Sequence, residues 1–266
     1  MSWKKRDASR MEKHRNQIKE KIKVIYDDSH QNYGAPKITK ELHKQGEIIA
    51  EKTVGNYMRQ IGIKAQWVKP YTVTTIDSDF SESLKNILDE NFNPEQPDAV
   101  WVSDITYIWT FEGFVYLTSI MDLFSRKIVA WVLSSTLEAM HVVECVEKAK
   151  QRRTISKPLI FHCDRGCQYV SEAFRNATSE MINSYSKKSY PWDNACIESF
   201  HAVLKREWIN RFKIFNYTHA YKLVFEYIET FYNTVRSHSH CDYLSPEQYE
   251  QAYQKKLLCM AEELAS

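Results

Sequence analysis

Three acidic residues sit in places where side-chain chemistry is the economical explanation for their presence. Asp104 interrupts VWVSDITYIW, a stretch otherwise fit for a central strand. A buried, unpaired carboxylate is costly, so Asp104 must have a partner, lie at an open strand end or bind a cation. Alone it reads equally well as a satisfied turn or edge residue. Asp164 follows LIFHC directly, at the carboxyl end of an expected strand, where α/β sheets place ligand sites. Asp-Arg-Gly is also good turn chemistry. Glu198 is more informative. On its expected helix Ile197, Phe200, Leu204 and Trp208 form the core stripe, while Ala195, Glu198, Ala202 and Lys205 share a neighbouring face. A glutamate among small residues can approach a sheet edge closely. Hard oxygen donors drawn from a strand, a strand end and a helix suit Mg²⁺. Two such ions can activate an attacking oxygen and stabilise a leaving one during in-line displacement at phosphorus.

The elements that must position these acids follow from periodicity. Residues 99–109, 113–122 and 126–134 are rich in Val, Ile, Thr, Tyr and Trp and are separated by turn signals, as in a strand meander. A helix is expected over 137–150, a short strand over 158–163, a helix near 171–181 and a strand over 182–185. A polar loop over 186–192 then leads to Asp193, the expected N-cap of the helix bearing Glu198. Three antiparallel strands, helix, strand, helix, strand, helix is the layout of a ribonuclease-H-like α/β fold.

Upstream the character differs. Residues 1–75 hold 16 Lys/Arg against 8 Asp/Glu, residues 76–100 hold one Lys against seven acids, and residues 101–266 balance at 19 each. The basic block suggests a polyanionic partner, most economically nucleic acid, although a solvated helix face would have the same composition. A basic amphipathic helix is expected over 7–26, with Met11, Ile18, Ile22 and Ile25 at helical spacing. Two short helices follow, the first opened by Pro36 and closed by Gly46, the second over 51–60 and closed by Gly62. They read as a helix-turn-helix, with Lys52, Thr53, Asn56 and Arg59 facing outward toward phosphates and base edges. The expected divisions are a helical DNA-binding region over 1–65, an acidic connector over 66–97 with a helical stretch near 80–91, a catalytic body over 98–253, and a tail over 254–266. Hydrophobic residues make up 43% of the 266 and charged residues 26%, which excludes a disordered or collagen-like chain. No apolar run approaches the roughly 20 residues needed to cross a bilayer, and the first residues carry no apolar signal core. A cytoplasmic, nucleoid-associated location is expected. The six cysteines, from Cys145 onward, have no CxxC pair and read as free thiols.

The motifs WVSDITYI, MDLFSRKIVAW, HCDRGCQY, WDNACIESFHAVLKRE and YNTVRSH followed by LSP resemble the retroviral-integrase-like DDE transposases of bacterial insertion sequences. The likeness is to the second-frame product of two-frame elements and covers about residues 30–253. It implies an integrase catalytic core preceded by a helix-turn-helix, and metal-dependent DNA 3′-end cleavage followed by strand transfer. It places the catalytic and metal-binding triad on Asp104, Asp164 and Glu198. The first two would bridge two Mg²⁺ ions, with Glu198 completing the second site and Mn²⁺ able to substitute. It gives Lys205 a role at the DNA end. It further implies double-stranded element ends and target DNA as partners, a homo-multimer bridging two ends, and an upstream-frame protein as candidate partner or fusion. The 33 residues between Asp164 and Glu198 are slightly fewer than the family's usual spacing. A non-catalytic DNA-binding regulator and a plain metal nuclease of the same fold are the alternatives.

Other residues carry competing readings. Asp122 can cap its hairpin, pair with Arg126 or touch metal. His162 can pack inward or tune the site. Tyr190 and Trp192 can stack on an unpaired base at the DNA end or pack as a lid. His238-Ser239-His240-Cys241 invites a zinc reading, but no second ligand pair has suitable spacing.

Overall fold

The computed structural model describes residues 9–65, 84–155, 158–187 and 190–265. The chain divides into two compact units, Met1–Lys69 and Pro70–Ser266. The first is helical: α1 (Arg10–Asp28), α2 (Ala35–Lys44) and α3 (Glu51–Gln60). Ser9 caps α1 by accepting the Glu12 amide at 3.2 Å. The stripe Ile18, Ile22, Ile25 of α1 is buried with Ile38 and Leu42 of α2 and Val54 and Met58 of α3. Gly34 and Pro36 open α2, and Gly46, at φ +81°, supplies the left-handed turn beyond its end. On α3 the apolar positions face inward, which leaves Lys52, Asn56 and Arg59 exposed and Thr53 half-buried. The Arg59 guanidinium donates to the Asn56 side chain, so these two groups order each other.

The second unit is built on a five-stranded sheet of order β3-β2-β1-β4-β5, with β1 (Val100–Thr110), β2 (Gly113–Asp122), β3 (Ile128–Ser134), β4 (Ile160–Cys163) and β5 (Ile182–Tyr185). β1, β2 and β3 pair antiparallel, and β4 runs parallel to both β1 and β5. Alternate residues therefore feed two cores. On one face Val102, Ile108 and Leu117 pack with Ile197, Phe200 and Leu204 of α6 (Ala195–Glu207) and with α7 (Tyr217–Phe225), which widens into a π-helical stretch over Glu226–Tyr232. On the other Trp101, Ile120 and Phe161 pack with α4 (Ala139–Arg152) and α5 (Glu172–Ala177). Among the described residues no helix is long and apolar enough to cross a membrane.

Three local expectations need correction. Residues 84–91 form no helix; those before 84 in the expected stretch lie outside the described residues. The Ile87 and Leu88 amides both donate to Ser184 Oγ, at 2.9 and 3.0 Å, and the Tyr185 amide donates to Lys85 O at 3.0 Å. β5 is an edge strand, and covering its open groups outweighs a local helical preference. The supposed tail is helical too, because α8 runs Pro246–Ala265 through a stretch of good helix formers, QKKLLCMAEELA. α5 is shorter than expected, starting after the Ser171 cap and ending at Ala177.

Candidate active site

The parallel register sets up the first pair of acids. β1 and β4 pair through Ser103 and Cys163, where β4 ends. The next residues are Asp104 and Asp164, so the two carboxylates stand side by side, on one face, where the strands part. Asp104 lies opposite Ser119 of β2. The Asp164 carboxylate folds back to accept the Gly166 amide at 2.9 Å. A side chain at Gly166 would bring its Cβ within 3.0 Å of that same carboxylate oxygen, so glycine is what lets the turn close under the acid.

Glu198 arrives on the first turn of α6, which packs over β1. A helix N-terminus favours an ionised carboxylate, yet the Glu198 carboxyl is pushed up to about 7. Partial desolvation is the largest cause, followed by the charges of Asp104 and Asp164. Both aspartates thus lie within electrostatic reach of Glu198. One turn further along α6, His201 is buried with Nδ1 3.3 Å from Asp104 Oδ2 and Nε2 3.3 Å from Ser119 Oγ. Sequence reasoning passed over this histidine. Its only signal was its spacing of three from Glu198, which places it on an adjoining part of the helix face.

A divalent cation suits the chemistry of this donor set, since hard oxygen ligands, one of them raised by burial and by the charges of the other two, gain from a positive charge between them. Among the described residues, however, no three His, Cys, Asp or Glu side chains are drawn together tightly enough to hold a metal.

Known proteins bear on this arrangement directly. Residues 94–183 and 180–246 match integrase core domain families, and residues 13–71 match an HTH-like domain. The transposase for insertion sequence element IS904 of Lactococcus lactis is 37% identical over 247 residues, covering 92% of this chain and 98% of that protein. The chain belongs to the insertion-sequence transposases. Transposase InsF of insertion sequence IS3A from Escherichia coli is 35% identical over 231 residues, covering 86% of this chain and 80% of that protein. A simian T-cell lymphotropic virus intasome structure is similar at 14% identity and a TM-score of 0.49, covering 86% of this chain and 74% of that one. By the family matches and the observed sheet, the second unit of this transposase is an integrase core of ribonuclease-H-like fold, and the first is an HTH-like domain.

The remaining candidates occupy varied settings in the transposase. Lys205, two turns beyond Glu198, holds its ammonium 4.4 Å from the centre of the Tyr107 ring. Burial lowers its pKa while the charge of Asp104 opposes that shift. Tyr190 and Trp192 precede α6 on an exposed loop, Trp192 being 67% accessible, so Trp192 is no packed lid. Asp193 is not the N-cap. Asn194 holds that position without a side-chain cap. Asp193 is instead fully buried, accepting the Lys187 amide at 2.6 Å and the Asn86 side chain at 2.9 Å, and so pins the loop to the segment before β1. Asn194 donates to Ser103 O at 3.3 Å, next to Asp104.

His162 packs inward between the Ser184 and Ser186 hydroxyls, and burial, against the pull of Asp193, takes its pKa down to about 4. It is neutral and structural. Asp122 accepts the Asp98 and Phe124 amides at 2.9 Å each, and burial raises it to about 7. Its pairing with Arg126 is not observed, because Arg126 turns to Asn93 and His240. His240 is held by Phe124 O and the Cys241 thiol by Ser125 O, an arrangement that leaves the zinc reading without support.

Proposed function

We propose that this transposase cleaves DNA at its element ends to free 3′-hydroxyls and joins them to target DNA by in-line phosphoryl transfer, with Asp104, Asp164 and Glu198 as ligands for divalent cations. The observation that carries this reading is the placing of three acids on β1, the end of β4 and the start of α6, where the charges of the first two add to burial in raising the third to about 7. When bound, Mg²⁺, or Mn²⁺ in its place, would activate the attacking oxygen and neutralise charge on the leaving one, and a pair of ions fits that task. Asp104 and Asp164 form the fixed half of the site, on the sheet. Glu198 is the adjustable half, able to shed its proton as a cation enters. His201 lies beside the Asp104 carboxylate, its Nδ1 3.3 Å from Oδ2.

Lys205 is suited to a phosphate or base near the terminal nucleotides. On the 10.5 Å separation expected for seven helical residues, at about 1.5 Å each, it reaches the end while Glu198 works at the scissile bond. Tyr190 and Trp192 stack on an unpaired base there. Lys52, Thr53, Asn56 and Arg59 of the helical unit contact phosphates and base edges of the end sequence. The helical unit, through about residue 65, thus supplies recognition, and the core from about residue 98 supplies chemistry. One active site per DNA end calls for a multimer that bridges two ends, with an upstream-frame protein as its partner or fusion.

A pure DNA-binding regulator has no use for a glutamate whose ionisation is opposed by two neighbouring acids. The deciding experiment incubates a labelled candidate end with Mg²⁺ and looks for joined product. Glu198→Gln should reduce cleavage and joining by orders of magnitude while DNA binding persists. Near-normal joining by the variant would sink the triad, and cleavage without joining by the parent protein would make it a nuclease.

A further inference from the structure

Beyond the acids, β1 continues into a hairpin whose far end is unusually rich in exposed rings. Tyr107, Trp109, Phe111 and Phe114 are 55%, 60%, 64% and 47% accessible. Trp109 pairs with Phe114 across the hairpin, their centroids 4.9 Å apart and nearly perpendicular, and Tyr107 meets Phe114 edge-on at 5.2 Å. The Phe111 amide donates to Ile214 O at 3.0 Å, which brings Phe215, 59% accessible, to 5.6 Å from the Phe111 ring. His219 stacks on Phe215 in turn at 5.6 Å. Large aromatic side chains left open together on one ribbon mark a binding surface.

Two observations say what it binds. The first is charge. Residues 205–222, which border the rings through Lys205 and Phe215, carry five Lys/Arg against one acid, Glu207. That acid is buried and bound to Arg236. Glu112, exposed at the turn, is an acid within the hairpin itself, but the five cations of the bordering segment outnumber it, and rings edged by cations fit a polyanion with flat apolar groups rather than an apolar protein face. The second is continuity. Lys205 caps the Tyr107 ring at 4.4 Å, and Asp104 is three residues before Tyr107 on the same strand. At about 3.4 Å per residue, Trp109 lies roughly 17 Å along β1 from Asp104. Asp104 faces α6 with Val102 and Ile108 whereas Tyr107 and Trp109 alternate to the other side of β1, so Lys205, on α6 and over the Tyr107 ring, is what joins the two: a nucleic-acid strand leaving the acids past its ammonium meets the rings. Base pairing hides the faces that aromatic side chains stack on, so the fitting ligand is unpaired.

We infer that the tip of the β1–β2 hairpin, with Tyr107, Trp109 and Phe114 at its centre and Lys205 at its inner edge, is a stacking platform for a single-stranded DNA segment adjoining the active site. The inference deepens the DNA-end reading proposed above and rests on it for its ligand. It is separate from the Tyr190–Trp192 loop, which precedes α6.

The test uses the full chain without divalent metal, so that no chemistry intervenes, and measures binding of fluorescent oligothymidylate and of a duplex of equal length. Trp109→Leu combined with Phe114→Leu alters two exposed side chains and should weaken oligothymidylate binding by about tenfold or more. Duplex affinity should stay unchanged. Trp109→Phe, which keeps a ring, should retain most of the single-strand affinity. Unchanged oligothymidylate affinity in the double-leucine variant would overturn the inference, and if sedimentation then showed a smaller assembly, the rings would belong to an interface between copies. End-joining by the parent protein separates the two readings. Joining with no effect of the leucines removes the platform alone, whereas ring-dependent single-strand binding without joining removes the transposition chemistry alone.

Discussion

Glu207→Gln should destabilise the catalytic unit by several kcal/mol although the side chain is far from any reacting atom. Glu207 closes α6, the helix that carries Glu198, and is only 4% exposed. Arg236, 7% exposed, grips it with Nη2 2.6 Å from Oε1 and Nε 2.7 Å from Oε2, and the Tyr227 hydroxyl donates to Oε2 at 2.9 Å. The glutamine preserves volume and one acceptor oxygen. It removes the charge that faces the buried guanidinium, which also lies beside the His238 ring, 3.3 Å from Nη1, and the Tyr232 ring at 5.8 Å. Removing one partner of a buried pair costs about 3–5 kcal/mol, and the retained acceptor places this case near the lower bound, at about 3 kcal/mol. In a unit of this size each kcal/mol moves the melting temperature by about 2–4 °C, so a fall of about 6–12 °C is expected. Five of the seven tryptophans, Trp101, Trp109, Trp131, Trp192 and Trp208, lie in this unit, so tryptophan fluorescence during heating reports mainly on it. Glu207→Leu with Arg236→Met should recover much of the loss, because no charge is then stranded. A single-variant shift below about 2 °C would refute the reasoning, since a pair worth that little behaves as if solvent-screened.

Two further outcomes follow from the acids and from α3. Mg²⁺ should raise the melting temperature more at pH 8 than at pH 6. The Glu198 carboxyl titrates at about 7 in the folded protein, above its ordinary range. Its ionisation therefore costs the metal-free fold stability as pH rises through that value, and below it a proton competes with the cation. Thermal shifts of equal size at both pH values would contradict this, and Glu198→Gln should abolish the difference. Separately, Lys52→Ala and Arg59→Ala, at exposed positions of α3, should each weaken duplex binding and flatten the dependence of log affinity on log salt by about one unit. An unchanged slope would make that face merely solvated.

What could be read from the sequence was what local chemistry decides. Pro36 and Gly46 mark the ends of α2 because one pre-sets a helical φ and the other takes up a positive one, and the observed helix, Ala35–Lys44, has Pro36 in its first turn and Gly46 just past its end. The meander was legible because turn signals separate three β-rich runs, and its edges match the observed strands within about two residues. The misreadings share one physical origin. Leu84, Ile87 and Leu88 have helical spacing, yet the group that fixes that segment is a hydroxyl 97 residues away on β5. Asp193 is a good local cap by type, but a buried carboxylate takes the donors the fold brings to it, and here Lys187 and the distant Asn86 both donate to its Oδ2.

The same division runs through the site. Each acid could be found singly because each is out of keeping with its own element: a carboxylate in a strand, one at a strand end, one on a helix face of small residues. Their closeness is a property of register, since it depends on Ser103 meeting Cys163 across β1 and β4, and a slip of one residue would have turned one of the two aspartates to the opposite face. His201 was invisible for the same reason. Its place is defined by Asp104 on β1 and Ser119 on β2, which become neighbours only when the antiparallel pair forms beneath α6. Lys205 shows the limit most clearly. Its spacing from Glu198 gives its height on the helix, but only the folded hairpin supplies the Tyr107 ring beneath its ammonium, and with it the link from the acids to the exposed rings beyond.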